Sequence, residues 1–199
     1  MKSFVTAFIL TFLLISCEEK NKENLPSKSE EGFFNALIEI PAGTNKKYEY
    51  NAEKLDFEID QRDGKERIIE YLPYFANYGY IPSTLSDETK GGDGDPLDVF
   101  VISESLPQGT LVSVIPIATV KLLDSGEEDY KIIAVPADEE QNVLHIKTLE
   151  ELKAKHPTII EIIELWLSNY DTETLEIEGW LNEKETENYI IQNEVNEVK

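Results

Sequence analysis

The residues with the clearest chemical potential form an acidic loop at positions 93–98, Asp-Gly-Asp-Pro-Leu-Asp, followed by an apolar run at 99–102. Magnesium and similar hard cations prefer oxygen ligands, and proteins commonly hold them with one or two carboxylates together with substrate phosphates. Asp93 and Asp95 stand two residues apart and would point to one side of an extended backbone, while Asp98 begins a predicted strand. The loop therefore predicts half of a metal and phosphate site, whose other half would be basic residues.

Two other interpretations apply to the same loop. Aspartate and glycine are common in exposed turns, so the loop could be a solvated connection. A calcium loop counted from Asp93 would place Glu104 at its twelfth position, but Leu97 occupies the fifth position, where an oxygen ligand is needed. Asp98 occupies the sixth, where glycine is needed, and the β-branched run that follows predicts a strand. The calcium interpretation therefore fails, and the exposed turn stays open.

Further candidate residues lie on either side of the loop. Lys47 with Glu49, and Asp129 with Lys131, stand two apart on predicted strands, so each pair shares one face. Such pairs are commonly surface ion pairs worth under about 1 kcal/mol, and a ligand site is the alternative. The aromatic segment 74–80 could offer phenolic donors to the acidic loop, although tyrosines usually pack their rings in a core.

The elements that must position these residues are mostly short strands separated by turn residues. Alternation of polar and apolar residues is visible at 55–59 and 175–178. The pattern predicts strands at 35–40, 47–51, 55–59, 67–71, 98–102, 111–123 and 130–135. It predicts helices at 149–155, 158–169 and 183–195. Many short strands favour a barrel or a sandwich, so we expect a mainly β (α+β) fold with a β-barrel core and two or three flanking helices.

The first 17 residues predict a lipoprotein signal peptide. Lys2 supplies the early charge, residues 4–15 are apolar, and Leu-Ile-Ser-Cys at 14–17 resembles the bacterial lipobox. The apolar run is too short for an ordinary membrane-spanning helix. Cys17 is the only cysteine and is expected to carry the lipid, with an incidental thiol as the alternative. The prediction is an exported lipoprotein, anchored on the periplasmic or surface side of a bacterial envelope.

The rest of the chain divides into a linker and a domain. Residues 18–31 are nearly free of apolar side chains and predict a flexible tether with an r.m.s. reach of about 20 Å. Residues 32–199 suit one domain. The formal charge of −22, from 40 acidic and 18 basic residues, argues against nucleic acid or an anionic membrane face as a partner. An anionic substrate would need metal ions or a local cluster of lysine and arginine.

The acidic loop and its neighbours resemble the soluble family I inorganic pyrophosphatases, whose signature is Asp-x-Asp-Pro-x-Asp before an apolar strand. The resemblance covers residues 34–181 in the family's order. The matching segments are Ile38-Glu39-Ile40-Pro41, Lys47-Tyr48-Glu49, Asn77-Tyr78-Gly79-Tyr80-Ile81-Pro82, Gly91-Gly92, Asp124 with Glu128-Asp129-Tyr130-Lys131, Ala134-Val135-Pro136, Asn169-Tyr170 and Glu178-Gly179-Trp180.

The resemblance implies an OB-like five-stranded barrel that hydrolyses pyrophosphate to two phosphates with several Mg²⁺ ions, for which Mn²⁺ could substitute. It also implies a homo-oligomer, since bacterial members are commonly hexamers. Asp95 would be the general base toward a metal-bridged water, with Glu39 and Tyr74 as supporting residues. The implied metal ligands are Asp93, Asp98, Asp129, Asp124 and Glu49. The implied phosphate-binding residues are Lys47, Arg67, Tyr78, Lys131 and Tyr170.

Two departures and one open alignment qualify the resemblance. Ser125 replaces the glutamate that often follows the residue matching Asp124, and Asp171 replaces the lysine of a Tyr-Lys pair. The phosphate-binding arginine can be aligned as Arg62 or Arg67, and we favour Arg67 because it precedes a predicted strand. The alternative function is a catalytically weak or inactive surface lipoprotein that binds a metal or a phosphorylated ligand on the same barrel.

Overall fold

A closed five-stranded barrel forms the centre of the molecule in a computed structural model, which describes residues 21–124, 126–171 and 175–196. The strands are β1 (Phe34–Ile40), β2 (Tyr48–Asn51), β3 (Asp56–Ile59), β4 (Gln61–Arg62), β5 (Lys65–Glu66), β6 (Asn77–Tyr80), β7 (Asp98–Val101), β8 (Leu111–Asp124), β9 (Glu127–Glu128), β10 (Lys131–Pro136) and β11 (Leu175–Asn182). The helices are α1 (Leu149–Lys155), α2 (Pro157–Leu167) and α3 (Glu183–Gln192). Two 3₁₀ turns span Lys22–Asn24 and Glu88–Lys90.

The barrel closes because the long strand β8 pairs with both ends of a four-strand path. The order is β1-β6-β7-β10-β8, and β8 pairs again with β1. Strand β11 extends the sheet along β8, and β2–β3 and β4–β5 form separate hairpins. All pairings are antiparallel except β7 with β10, which run parallel. The predicted OB-like five-stranded barrel with three helices is confirmed.

The barrel strands are buried on both faces, which explains their continuous apolar sequences. Val99 and Val101 of β7 join one core cluster, which also contains Ile190 of α3. Phe100, between them, joins a second cluster that contains Trp166 of α2 and residues of α1. Because side chains alternate along a strand, the two faces of β7 pack into two different core clusters. The two cores fix the strand ends, where the candidate site residues lie.

The helices begin where the sequence provides capping residues. Thr148 caps α1 by accepting from the backbone N–H of Glu151 at 3.1 Å. Asn182 and Glu185 form a reciprocal capping box on α3. Pro157 begins α2, where its missing N–H has no helical partner to lose. The predicted helices at 158–169 and 183–195 are therefore correct in place, although they end at Leu167 and Gln192.

The predicted strand at 67–71 is wrong. This segment forms a single bridge, between Lys46 and Ile68, and is otherwise irregular. Its backbone pairs with loops: Arg67 N–H donates to the Asp60 carbonyl at 2.8 Å, and Ile69 N–H donates to the Asn45 carbonyl at 2.7 Å. These loop hydrogen bonds satisfy the groups that a ladder would otherwise satisfy. Conversely, the strands β4, β5 and β9 were not predicted, because each is only two residues long. Strand β6 was considered only as part of the aromatic segment 74–80, and β11 was indicated only by the alternation at 175–178.

The tether predicted for residues 18–31 lies within the described residues from position 21 onward, and there it packs against the barrel. Lys22 N–H donates to the Tyr50 hydroxyl at 3.1 Å, and Ser83 N–H donates to the Glu23 carbonyl at 2.6 Å. Ser83 Oγ also donates to the Leu25 carbonyl at 2.8 Å. A free tether therefore does not describe residues 21–31. Cys17, the signal peptide and residues 18–20 lie outside the described residues.

Among the described residues, no helix has both the length and the apolar character needed to cross a lipid bilayer.

Candidate active site

Two charged residues from distant parts of the chain meet because β7 and β10 are parallel neighbours. Val99 pairs with Ile132, so the preceding residue on each strand, Asp98 and Lys131, lies at the same end of the barrel. The Nζ atom of Lys131 forms ion pairs with Asp98 and with Asp129, which precedes β10. The strands thus hold a buried ammonium group between two carboxylates.

The charges at this centre support one another. Burial raises the pKa of Asp98, the Lys131 charge opposes that rise, and Asp129 adds to it. Burial alone would lower the pKa of Lys131, but the charges of Asp129 and Asp98 raise it well above its usual value. Lys131 therefore stays protonated at neutral pH despite being only 4% exposed. A buried cation of this kind can neutralise either a carboxylate or a phosphate oxygen.

The acidic loop turns sharply at Gly94, between Asp93 and Asp95. Gly94 has φ of 89°, a left-handed conformation, and Asp95 N–H donates to Asp93 Oδ1 at 3.1 Å. Ser86 fixes the loop from outside, since its N–H donates to the Asp95 carbonyl at 2.8 Å and its carbonyl accepts from Gly94 at 2.8 Å. The Asp95 side chain is solvent-exposed, but neighbouring atoms partly desolvate its carboxyl group, and this desolvation, with the charges of Asp93 and Asp98, raises its pKa to about 6. Asp95 is therefore more basic than an ordinary aspartate.

Basic side chains, including Lys47 and Arg67, line the cleft together with the carboxylates. Lys47 Nζ lies 2.6 Å from Glu49 Oε1 and 3.7 Å from Asp60 Oδ2. Arg67 Nη1 donates to Asp60 Oδ2 at 3.0 Å. Burial would raise the pKa of Asp60, but the hydrogen bond from Arg67 and the charge of Lys47 lower it. Asp60 was not predicted, although its position one residue after the alternating stretch 55–59 placed it at a strand end.

Both candidate arginines line the cleft, and Asp171 forms an ion pair with each of them. Arg62 Nη1 donates to Asp171 Oδ1 at 2.8 Å, and Arg67 Nη2 donates to Asp171 Oδ2. The alternative alignments of Arg62 and Arg67 therefore do not compete, since both side chains line the cleft. At position 171, where the resemblance leads us to expect lysine, a carboxylate holds two guanidinium groups.

Aromatic side chains form one wall. Lys131 Nζ donates to the Tyr78 hydroxyl at 3.4 Å, and the Tyr74 ring lies 5.3 Å from the Tyr78 ring. Trp166 stacks on Tyr170 with ring centroids 4.5 Å apart and an interplanar angle of 5°. Burial raises the pKa of Tyr170 to about 12, so its hydroxyl remains a proton donor at neutral pH. Trp166 was missed, although its i, i+4 spacing from Tyr170 on a helical pattern could have indicated the stack.

Glu39 lies at the base of the cleft. Its Oε1 atom accepts from the backbone N–H of Tyr50 at 2.7 Å, and the side chain is buried. Burial first, and then the charges of Asp98 and Glu49, raise its pKa well above the usual value. A buried, hydrogen-bonded carboxyl group behind the other carboxylates suits a supporting position.

The predicted site residues within the described chain all line a single cleft of about 440 Å³. They are Glu39, Lys47, Glu49, Arg67, Tyr74, Tyr78, Asp93, Asp95, Asp98, Asp124, Asp129, Lys131 and Tyr170. The alternative arginine, Arg62, lines it too. Cys17 and Ser125 fall outside the described residues. The acidic loop is therefore part of this cleft, which an exposed turn alone would not explain.

The cleft offers the donor chemistry of a hard cation, since its acidic residues present carboxylate oxygens. Within the described ranges, however, no three acidic, histidine or cysteine side chains converge closely enough to hold one ion. Lys131 ion-pairs with two of the expected ligands, Asp98 and Asp129. The residues present thus have the chemistry that divalent cations need. To converge on one ion, carboxylates such as Asp98 and Asp129 would have to release their ion pairs with Lys131.

The fold and the cleft define a class of protein, an OB-like barrel with one cleft lined by both carboxylates and basic side chains suited to phosphate. A family model described as inorganic pyrophosphatase matches residues 36–199. The chain is similar to inorganic pyrophosphatase from Neisseria meningitidis, with 37% identity over 146 residues, 73% of this chain and 75% of that protein. It is also similar to the Synechocystis inorganic pyrophosphatase, with 34% identity over 157 residues, 77% of this chain and 85% of that protein.

Solved structures agree with the sequence relatives. An inorganic pyrophosphatase structure from Neisseria gonorrhoeae matches with a TM-score of 0.67 and 32% identity, covering 81% of this chain and 88% of that one. The structure from Thermus thermophilus matches in fold, with a TM-score of 0.75 and 24% identity, covering 87% of this chain and 96% of that one. The chain belongs to the inorganic pyrophosphatase family.

Proposed function

We propose that this protein hydrolyses inorganic pyrophosphate to two phosphates with divalent cations, of which Mg²⁺ is the first choice. The observation that carries the proposal is that carboxylates such as Asp93 and Asp98 and cations such as Lys47 and Lys131 line one cleft. Family membership supports the reaction, and the carboxylate oxygens support a hard cation.

The electrostatics of the cleft explain why a cation is needed. A carboxylate and a phosphate oxygen about 4 Å apart would repel by roughly 4 kcal/mol at an effective dielectric constant near 20. The candidate ligands are Asp93, Asp98, Asp124, Asp129 and Glu49. When bound, divalent cations would neutralise phosphate oxygens and lower the pKa of the attacking water. Activity should therefore depend completely on divalent metal.

The protein's own residues would then bind the substrate and move one proton. Lys47, Arg67 and Lys131 can donate hydrogen bonds to phosphate oxygens, as can the hydroxyls of Tyr78 and Tyr170. Phosphoryl transfer depends mainly on such positioning and charge neutralisation.

Asp95 would accept the proton of the attacking water. Its pKa of about 6 leaves it deprotonated at neutral pH while keeping it more basic than an ordinary carboxylate.

The test is a phosphate-release assay with pyrophosphate. We expect activity with Mg²⁺, weaker activity with Mn²⁺ and none with EDTA. Asp95→Asn should lower the rate by about 10²- to 10⁴-fold, whereas Asp138→Asn, an exposed change away from the cleft, should leave it unchanged. Full activity of Asp95→Asn would reject the base. Calorimetric pyrophosphate binding without hydrolysis would favour a ligand-binding lipoprotein.

We also propose that the protein is exported and anchored by a lipid on Cys17, a proposal supported by the lipobox-like sequence at 14–17. Three residues separate Cys17 from Asn21, where the described chain begins, and the four Cα-to-Cα steps between them span at most about 14 Å. The barrel would therefore stay close to the bilayer. Labelling of the full chain with a clickable fatty acid should mark the wild type and not Cys17→Ser. Equal labelling of the two proteins would reject the anchor.

A further inference from the structure

The only two arginines of the chain share one carboxylate at the cleft. Asp171 Oδ1 accepts from Arg62 Nη1 at 2.8 Å, and Asp171 Oδ2 accepts from Arg67 Nη2. The side chain of Asp171 is only 9% exposed, against 37% for Arg62 and 16% for Arg67. One oxygen for each guanidinium holds the two groups side by side at the cleft.

The two partners of this arrangement are each fixed by local structure. Arg62 belongs to the β4–β5 hairpin, whose turn residues Asp63 and Gly64 have φ of 54° and 73°. Two consecutive positive φ angles define a tight type I′ turn, for which Asp-Gly is a preferred sequence. On the other side, Tyr170 stacks on Trp166 and so fixes the start of the segment that presents Asp171. The contact between Arg62 and Asp171 thus joins two elements 109 residues apart.

The orientation of Arg62 has a clear physical use. A guanidinium has five N–H donors in a rigid plane, so one edge can hold a carboxylate while another meets a phosphate. Arg62 has a long, partly exposed side chain, whose rotamer freedom would weaken any phosphate contact unless a partner restricts it. Asp171 provides that restriction through its ion pair with Arg62, which itself lines the cleft.

We propose that Arg62 is a second substrate-binding arginine beside Arg67, and that Asp171 is a positioning residue that aligns both guanidinium groups toward a phosphate of the substrate. The proposal deepens the proposed function and rests on it for the identity of the substrate. It gives position 171 a role without requiring a cation there.

The first experiment is steady-state pyrophosphate hydrolysis with Mg²⁺. Arg62→Ala should raise KM about tenfold while changing kcat less than threefold, because it removes a charge-assisted contact to substrate. Arg62→Lys should recover part of the affinity, since lysine keeps the charge but loses the planar fork. Lys65→Ala, which removes the same charge from the same hairpin outside the cleft, is the matched control and should leave KM unchanged.

The second experiment tests Asp171 by a double-mutant cycle. Asp171→Asn should raise KM about threefold or more in the wild-type background, and its effect should shrink once Arg62 is already alanine. Equal unfolding midpoints of the variants separate this coupling from a general loss of structure. A lower KM for Asp171→Asn would show that the carboxylate competes with substrate, and would overturn the positioning role.

The third experiment moves the positive charge from position 62 to position 171. In Arg62→Ala/Asp171→Lys the lysine stands next to the space left by the removed guanidinium, because Asp171 contacts Arg62 directly, and it should lower KM relative to Arg62→Ala alone. No rise in KM for Arg62→Ala would overturn the proposal, as would a relocated lysine that restores nothing in a variant of normal stability.

The wild-type rate is read first, so that failure of the proposed function is recognised separately. If wild type does not hydrolyse pyrophosphate, calorimetry with pyrophosphate and Mg²⁺ replaces KM by Kd. Weaker binding by Arg62→Ala than by Lys65→Ala would then still support Arg62, and equal binding would overturn it.

Discussion

Gly79→Ala tests whether the aromatic wall depends on close contact between two barrel strands. A Cβ atom at position 79 would lie 1.8 Å from the Leu37 carbonyl oxygen and 3.0 Å from the Glu39 backbone nitrogen. Ordinary contact needs about 3.4 Å, so strands β1 and β6 would have to separate by about 1.5 Å. Gly79 pairs with Ile38, and the adjacent Tyr78 lines the cleft. The substitution should therefore damage both the barrel and the site.

The expected loss follows from the ladder. Moving β1 from β6 by this distance would break about two backbone hydrogen bonds and leave their groups buried without partners, at about 1–3 kcal/mol each. Gly79→Ala should thus lower the free energy of unfolding by about 3–5 kcal/mol, at the high end for a single substitution. Urea denaturation in EDTA, followed by tryptophan fluorescence, measures the change.

Gly43→Ala is the matched control. Gly43 has φ of 85°, and nothing lies within 4 Å of the position of an added Cβ. Its replacement should cost only the left-handed strain, about 1–2 kcal/mol. If Gly79→Ala were no less stable than Gly43→Ala, the close contact of the strands would not explain the glycine. Failure of the Gly79 variant alone to accumulate as folded protein would agree with the reasoning.

Three other changes test the charges and the buried polar groups. Lys131→Met leaves Asp98 and Asp129 without their shared cation, so the protein in EDTA should lose about 3–5 kcal/mol of stability, and added Mg²⁺ should restore part of it, as measured by urea denaturation. The pKa of Asp95 is raised to about 6 from 3.8, so this carboxyl should lower stability in EDTA as pH rises from about 4 to about 6. Asp95→Asn should remove that slope and gain about 1 kcal/mol at pH 7, since exposure screens the charge; an unchanged slope in thermal melts would contradict this. Asn77→Ala should cost about 3–5 kcal/mol because the fully buried amide accepts from two backbone N–H groups and donates to two carbonyls; a loss under about 1 kcal/mol would contradict its role.

The part of the site that sequence could predict is the part fixed by short-range pattern. The spacing of Lys47 with Glu49 and of Asp129 with Lys131 correctly placed each pair on one face, and both pairs are ion pairs in the structure. Each pair also lines the cleft, so the same side chains form an ion pair and stand where a ligand could bind. Local periodicity was therefore sufficient to find these residues.

Sequence could not predict contacts that depend on topology. The meeting of Asp98 with Lys131 requires the parallel pairing of β7 and β10, which no local pattern specifies. The contact of Arg62 with Asp171 joins residues 109 positions apart. It also depends on the β4–β5 hairpin, whose two-residue strands are too short to recognise from alternation. The family resemblance could mark Asp171 only as a missing lysine. Its contacts with both arginines are visible only in the folded structure.

The ion pairs of the cleft suggest how charge is managed in a protein of net charge −22. Each cation that lines the cleft is already paired with a carboxylate: Lys47 with Glu49, Arg62 and Arg67 with Asp171, and Lys131 with Asp98 and Asp129. An entering phosphate must therefore compete with the protein's own carboxylates for every one of these donors. Divalent cations that bind carboxylates such as Asp98 would relieve that competition and release the ammonium group to the phosphate. Metal and phosphate binding should then be mutually favourable in this cleft, because each removes the partner that opposes the other.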